Sequence, residues 1–251
     1  MPRMTKRPYI LTIAGFDPSS GAGLTADIKT FERLKCQGFA ACTATTVQND
    51  HEFLACHWQP EEMIIEQINI LFKRFDIRFV KIGIVENWTI LNTILDHLHF
   101  LNPNIRIVLD PILSSSSNFT FHGTNSEELS AILKKIYLLT PNYLEIQTLF
   151  PEKTVEEAIE HIQQHTNLYL KGGHRSDHVG TDELYLTSGK SFRLNPKLTG
   201  VSEKHGSGCV LSAAITSYLA NGFSMIKACR RAKSYTEKFL TSNPTLLGYH
   251  Q

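Results

Sequence analysis

No Cys-x-x-Cys pair occurs in this sequence, and its cysteines (Cys36, Cys42, Cys56, Cys209 and Cys229) are odd in number. Neither a zinc ribbon nor a disulfide framework fits that spacing, so a reducing cytoplasm is the expected location. An excess of charge is also missing. Lys and Arg total 25 against 24 Asp and Glu, which removes the basic face that nucleic acid or an anionic membrane would need, so any anion site must be built locally. No apolar run is long enough to cross a bilayer. The stretch Tyr9 to Ala14, behind Arg3, Lys6 and Arg7, is too short for a signal-peptide core. Internal repeats and Pro/Gly/Ser-rich linkers are absent too, and the expectation is one soluble domain over residues 1–251 with a large buried core.

What is present alternates. Short apolar runs at Tyr9–Ala14, Phe39–Thr46, Phe79–Gly83, Ile105–Leu109, Tyr137–Leu139 and Leu168–Lys171 read as buried strands. Segments of helical spacing lie between most of them, about Leu24–Lys35, Pro60–Phe75, Trp88–Phe100 and Glu127–Ile136. Glu183–Thr187 and Ser191–Leu194 read as a hairpin, and Ser207–Asn221 and Ser224–Leu240 as two closing helices. Alternation of this kind predicts an α/β fold with a mostly parallel sheet covered by helices on both faces. In such sheets ligands bind outside the carboxyl ends of the strands.

The stretch Lys204-His205-Gly206-Ser207-Gly208-Cys209 runs straight into a helical pattern. Two glycines at a helix start let backbone N–H groups close on an anion, where the helix dipole also favours negative charge. Cys209 sits at the same end, a place that lowers a thiol pKa and suits a base for an attacking hydroxyl. Phosphoryl transfer to an alcohol is the chemistry suggested. Gln48, at the exit of a strand, carries an amide that matches the edge of an aminopyrimidine or pyridine ring. Asn142 and Glu145, three apart, serve either as a hydrated magnesium site or as a helix cap with an acidic first turn. Lys171 ends a strand before Gly172-Gly173, either reaching phosphate oxygens across those glycines or simply solvated at the strand end. Gly21-x-Gly23-x-x-Ala26 formally matches a dinucleotide fingerprint, but Gly15–Ser20 intervenes after the strand and the next strand exits at Gln48, so an NAD enzyme is rejected.

Seven blocks in order carry a resemblance: Gly15 through Thr30, Val47-Gln48-Asn49, Val80 through Gly83, Val108 through Pro111, Leu139 through Asn142, Lys171 through His174, and His205 through Cys209. Together they resemble the hydroxymethylpyrimidine/phosphomethylpyrimidine kinases of thiamine biosynthesis, members of the ribokinase-like superfamily. The resemblance implies a three-layer α/β/α ribokinase-like fold, ATP as cosubstrate, Mg2+, a small-molecule pyrimidine substrate and a homodimer. It implies a pocket of Gly15, Asp27, Gln48 and Ile84, an anion hole of Gly206, Ser207 and Gly208, and Cys209 as base. Asp110, Asn142 and Glu145 would organise magnesium and its waters, with Lys171 near the nucleotide phosphates.

The chain departs from that family at three places. Ser116-Ser117-Asn118 stands where the loop usually has Lys-Ser-Gly, Ile84 replaces a methionine, and Lys204 replaces a threonine. Lys204 is thereby a candidate substitute for the missing loop cation. The alternatives are a pyridoxal or pyridoxine kinase of the same branch and a non-catalytic pyrimidine-binding protein.

Overall fold

Tyr9-Ile-Leu-Thr-Ile-Ala-Gly-Phe is apolar on both faces, as a central parallel strand must be, and it forms β1 (Tyr9–Phe16) deep in the sheet. The computed structural model describes residues 7–112, 126–173, 179–198 and 200–251. Gly23 through Arg33 follow as α1 (Gly23–Arg33), and the chain then pairs β2 (Gln37–Gln48) parallel to β1. β3 (Phe53–Trp58) turns back antiparallel on β2. After α2 (Glu61–Phe72), β4 (Phe79–Ile82) enters on the other side of β1.

The remainder extends the sheet outward. α3 (Trp88–Leu101), β5 (Arg106–Leu109), α4 (Ser126–Leu133), β6 (Leu138–Leu139), α5 (Tyr143–Leu149), α6 (Val155–Gln163) and β7 (Asn167–Leu170) continue the parallel part. The antiparallel strands β8 (Asp182–Tyr185) and β9 (Ser191–Leu194) close that edge, before α7 (Ser207–Ala220) and α8 (Met225–Leu240). Among the described residues the nine strands lie in the order β3-β2-β1-β4-β5-β6-β7-β8-β9.

Alternation along the strands divides the core. Leu11, Ile13, Val80, Ile82, Ile107, Leu109, Leu168 and Leu170 face α2 to α6. Val108, Leu138 and Tyr169 face α7 and α8, while Ile10 packs against Phe31 of α1. The result is three layers, α/β/α. α1 carries the chain from β1 to β2 on one face and α2 carries it from β3 back past β1 to β4 on the other, so the strand order switches between β1 and β4 and opens a crevice at their carboxyl ends.

Two elements had no expectation attached. β3 is a half-exposed edge strand whose Phe-Leu-Ala-Cys-His-Trp mixes polar and apolar residues too irregularly to read by alternation. α6 is announced by a reciprocal cap, since the Thr154 side chain accepts from the Glu157 N–H and the Glu157 carboxylate accepts from the Thr154 N–H. The Ser114–Asn118 loop, with Ser116, falls outside the described residues.

Candidate active site

Two glycine-bearing loops meet at the crevice. Gly206 caps α7 in the left-handed region at φ 73, and a Cβ there would overlap the Gly21 carbonyl oxygen. Gly23, at φ 57, starts α1 pressed against the Gly15 carbonyl in the same way. No side chain fits at either point, so the helix starts approach one another at backbone distance. A buried polar clasp joins them. Asp17 accepts from the N–H groups of Ser19 at 2.8 Å, Gly21 at 3.1 Å and Ala22 at 2.8 Å, and His205 Nε2 lies 2.9 Å from Asp17 Oδ2. Burial pushes the Asp17 carboxyl up, but the bonds from His205, Ser19 and the Ala22 N–H outweigh it and hold the group below its ordinary value.

Gly206, Ser207, Gly208 and Cys209 form the first turn of α7 at this junction, as the sequence predicts. A side chain built on Gly208 would start 3.5 Å from Lys171 Nζ and 3.9 Å from Asp110 Oδ2. The loop therefore faces the Lys171–Asp110 ion pair. One expectation is corrected: the Cys209 thiol is not lowered but pushed up to about 11, because it is buried. The nearby Lys81 charge and the Gly23 N–H oppose that shift, whereas Asp27 and Asp110 add to it. Desolvation of a thiolate outweighs the helix terminus.

Asp27 is fully buried on the inner face of α1. Its Oδ2 accepts from Lys81 Nζ at 2.9 Å and from Thr12 Oγ1 at 2.6 Å. Thr12 and Lys81 are direct neighbours across β1 and β4. Lys81 is likewise completely buried. Burial raises the Asp27 carboxyl more than Lys81 and Thr12 lower it, and its Oδ1 has no hydrogen-bond partner among the described residues. Sequence reasoning gave Lys81 no role, although a lone lysine inside the apolar run Phe79-Val80-Lys81-Ile82 was a readable signal.

On the other side of the Gly206–Cys209 turn, Asp110 follows β5 and is fully buried. Its Oδ1 accepts from Lys171 Nζ at 2.9 Å and from Thr140 Oγ1 at 3.2 Å, and its Oδ2 from Ser212 Oγ at 3.1 Å. Burial acts to raise this carboxyl, but Lys171 and Lys81 keep it below its ordinary value. Lys171 Nζ also lies 3.4 Å from Glu145 Oε2. Asn142 and Glu145 make the reciprocal cap of α5: Asn142 Oδ1 accepts from the Glu145 N–H at 2.8 Å, and Glu145 Oε2 accepts from the Asn142 N–H at 2.6 Å. Of the two roles left open for this pair the cap is realised, and it holds the Glu145 carboxylate beside Lys171. The Gly172 N–H donates to Asp182 Oδ1 at 2.8 Å, which anchors the turn after Lys171. His174 falls outside the described residues.

Gly15 and Ile84 are brought together at the ends of β1 and β4, where a Cβ on Gly15 would meet Ile84 Cδ1 at 2.5 Å. Thr43 Oγ1 donates to the Ile84 carbonyl at 2.7 Å and fixes that floor. Gln48 is half-buried at the end of β2, paired with Phe53 past an irregularity in the register. Lys204 is a second correction. Its ammonium donates to the carbonyls of Asn243, at 2.6 Å, and Thr245, so it ties down the C-terminal segment rather than standing in for a phosphate-handling loop cation.

A mostly parallel sheet whose carboxyl edge carries a glycine-led helix start, a buried thiol and a lysine–carboxylate cluster is the architecture of the ribokinase-like kinases. The chain belongs to the phosphomethylpyrimidine kinase family, whose sequence profile matches residues 17–251. It is 35% identical over 251 residues to the hydroxymethylpyrimidine/phosphomethylpyrimidine kinase of Aquifex aeolicus, covering 95% of this chain and 97% of that protein. The solved phosphomethylpyrimidine kinase of Clostridium difficile 630 is 32% identical with a TM-score of 0.77, over 92% of this chain and 99% of that one. The pyridoxal kinase of Staphylococcus aureus, solved with pyridoxal, superposes at a TM-score of 0.83 and 25% identity, over 98% and 94% of the two chains.

Proposed function

We propose that this chain transfers the γ-phosphoryl group of ATP to the 5-hydroxymethyl oxygen of 4-amino-5-hydroxymethyl-2-methylpyrimidine, and a second one onto the resulting monophosphate. The observation that carries the reading is the left-handed Gly206 start of α7, packed on the Gly21 carbonyl, with Gly208 in the same turn beside Lys171 Nζ and Asp110 Oδ2. Charge that builds on the transferring group there meets fixed donors and a lysine, in a transfer that relies on positioning and electrostatics. Gln48 hydrogen-bonds the aminopyrimidine edge, Gly15 and Ile84 carry the ring, and Cys209 accepts the hydroxyl proton.

The donor set fits magnesium as a hydrated ion rather than a caged one. Asp110 and Glu145 offer carboxylate oxygens, but no group of three or more His, Cys, Asp or Glu suited to a metal exists among the described residues. Mg2+ carried with ATP would neutralise phosphate charge, with Asp110 and Glu145 holding it through water. Lys171 contacts phosphate oxygens and Asn142 keeps Glu145 in place.

Incubation of the purified protein with Mg-ATP and each of four acceptors tests the reading: hydroxymethylpyrimidine, its monophosphate, pyridoxal and pyridoxine, with products identified by mass. Phosphorylation of both pyrimidines is expected. Turnover of pyridoxal alone would replace the reading with vitamin B6 salvage, an alternative favoured by the closeness of the fold to a pyridoxal kinase. Binding without turnover would favour the pyrimidine-binding protein. A homodimer and a cytoplasmic location complete the proposal. Sedimentation checks the first. The second is supported by five free cysteines, and no helix among the described residues is long and apolar enough to cross a membrane.

A further inference from the structure

We propose that Lys81 is a positioning residue of the phosphoryl transfer, its buried ammonium serving as the fixed counter-charge that orients Asp27 and faces Cys209 across the β1–β4 crevice. The inference rests on the kinase reading of this site. A lysine with no exposed surface, in the middle of an apolar parallel strand, is costly to keep unless its charge is used.

Its surroundings show where that charge acts. Nζ donates to Asp27 Oδ2 at 2.9 Å, and a side chain begun on Gly83 would start 3.1 Å from it. The ammonium thus lies beside Gly83, which follows β4 and precedes Ile84 of the Gly15/Ile84 floor. Cys209 from α7 and Asp110 from the end of β5 are both within reach of its field. Thr12 donates to the same Asp27 oxygen that Lys81 holds, so the carboxylate is pinned through Oδ2 while Oδ1 is buried with no partner among the described residues. A purely structural ion pair would be expected to satisfy both oxygens. Here one oxygen is held by two donors, and the geometry orients the other without spending it.

The test removes the charge and then returns it without the side chain. Lys81→Ala is expected to lower kcat about 100-fold, the effect of deleting one preorganised charged donor, with the KM for Mg-ATP changed less than about threefold. Propylammonium should restore turnover saturably, whereas propanol, which fills the same space without charge, should restore the melting temperature but not kcat. Lys81→Met, which keeps the stem, should lose turnover as Lys81→Ala does. Near wild-type kcat in either variant overturns the proposal, as does equal rescue by propanol. If a variant needs propylammonium in order to fold, a folded protein that still lacks turnover in its presence overturns it as well. A product assay with wild-type protein separates this result from failure of the kinase reading itself.

Discussion

Cys209 illustrates how one residue's chemistry depends on what buries it. At a helix start its thiol should be acidic, yet loss of water dominates and holds it near 11. A base with that pKa acts through its small thiolate fraction, which grows about tenfold per pH unit below the pKa. Turnover is therefore expected to climb as pH rises from 7 toward 10, and a flat kcat profile would remove Cys209 as the base. Cys209→Ala should fold normally and lose about 100-fold or more in kcat, the usual contribution of a general base; steady-state kinetics beside a thermal melt check both halves. Gly206 makes a different residue-scale statement. Gly206→Ala forces a Cβ into the Gly21 carbonyl at a left-handed φ of 73, so a stability loss above about 2 kcal/mol is expected from denaturant titration, with the anion turn displaced.

Elements near the site are held by the segment that follows α8. Lys204 Nζ reaches the carbonyls of Asn243 and Thr245, and the His205 N–H donates to the Leu246 carbonyl at 3.0 Å. Lys204→Met should therefore speed amide exchange around residues 243–247 while leaving the KM for ATP within about twofold, since no phosphate contact is lost. A large rise in that KM would restore Lys204 as a phosphate ligand. His250 belongs to the same segment, with Nδ1 2.9 Å from the Tyr235 hydroxyl and its ring 5.0 Å from that of Phe239. Burial, aided by Lys29, lowers it to about 4 from an ordinary 6.5. The unfolded chain binds this proton first as pH falls, so the contribution is intact above 6.5 and is lost between 6.5 and about 4. Melting temperature should decline across that window, and His250→Gln should make the decline shallower.

At the scale of the whole molecule, the sheet is continuous from β3 to β9, and helices cover both faces. We expect residues 1–251 to unfold as one unit, with a single calorimetric transition whose van't Hoff and calorimetric enthalpies agree for the monomeric state. Two resolved transitions would divide the chain into separate units.

Much of this architecture was legible in the sequence by itself. Strand and helix periodicity marked out the parallel core, because a strand buried on both faces has to be apolar along its length, and Gly206 marked the start of α7, where the backbone takes a left-handed conformation that favours glycine. Ordered blocks such as Val108-Leu-Asp-Pro111 and His205–Cys209 carried the family. Other features were decided by tertiary structure alone. The pairing of Lys81 with Asp27, the clasp of Asp17 on His205 and the use of Lys204 as a tether each join residues far apart in the chain, and spacing along a sequence holds no record of such distances. The thiol of Cys209 belongs with them: its acidity depends on how much water the folded layers exclude, and no local motif encodes that quantity.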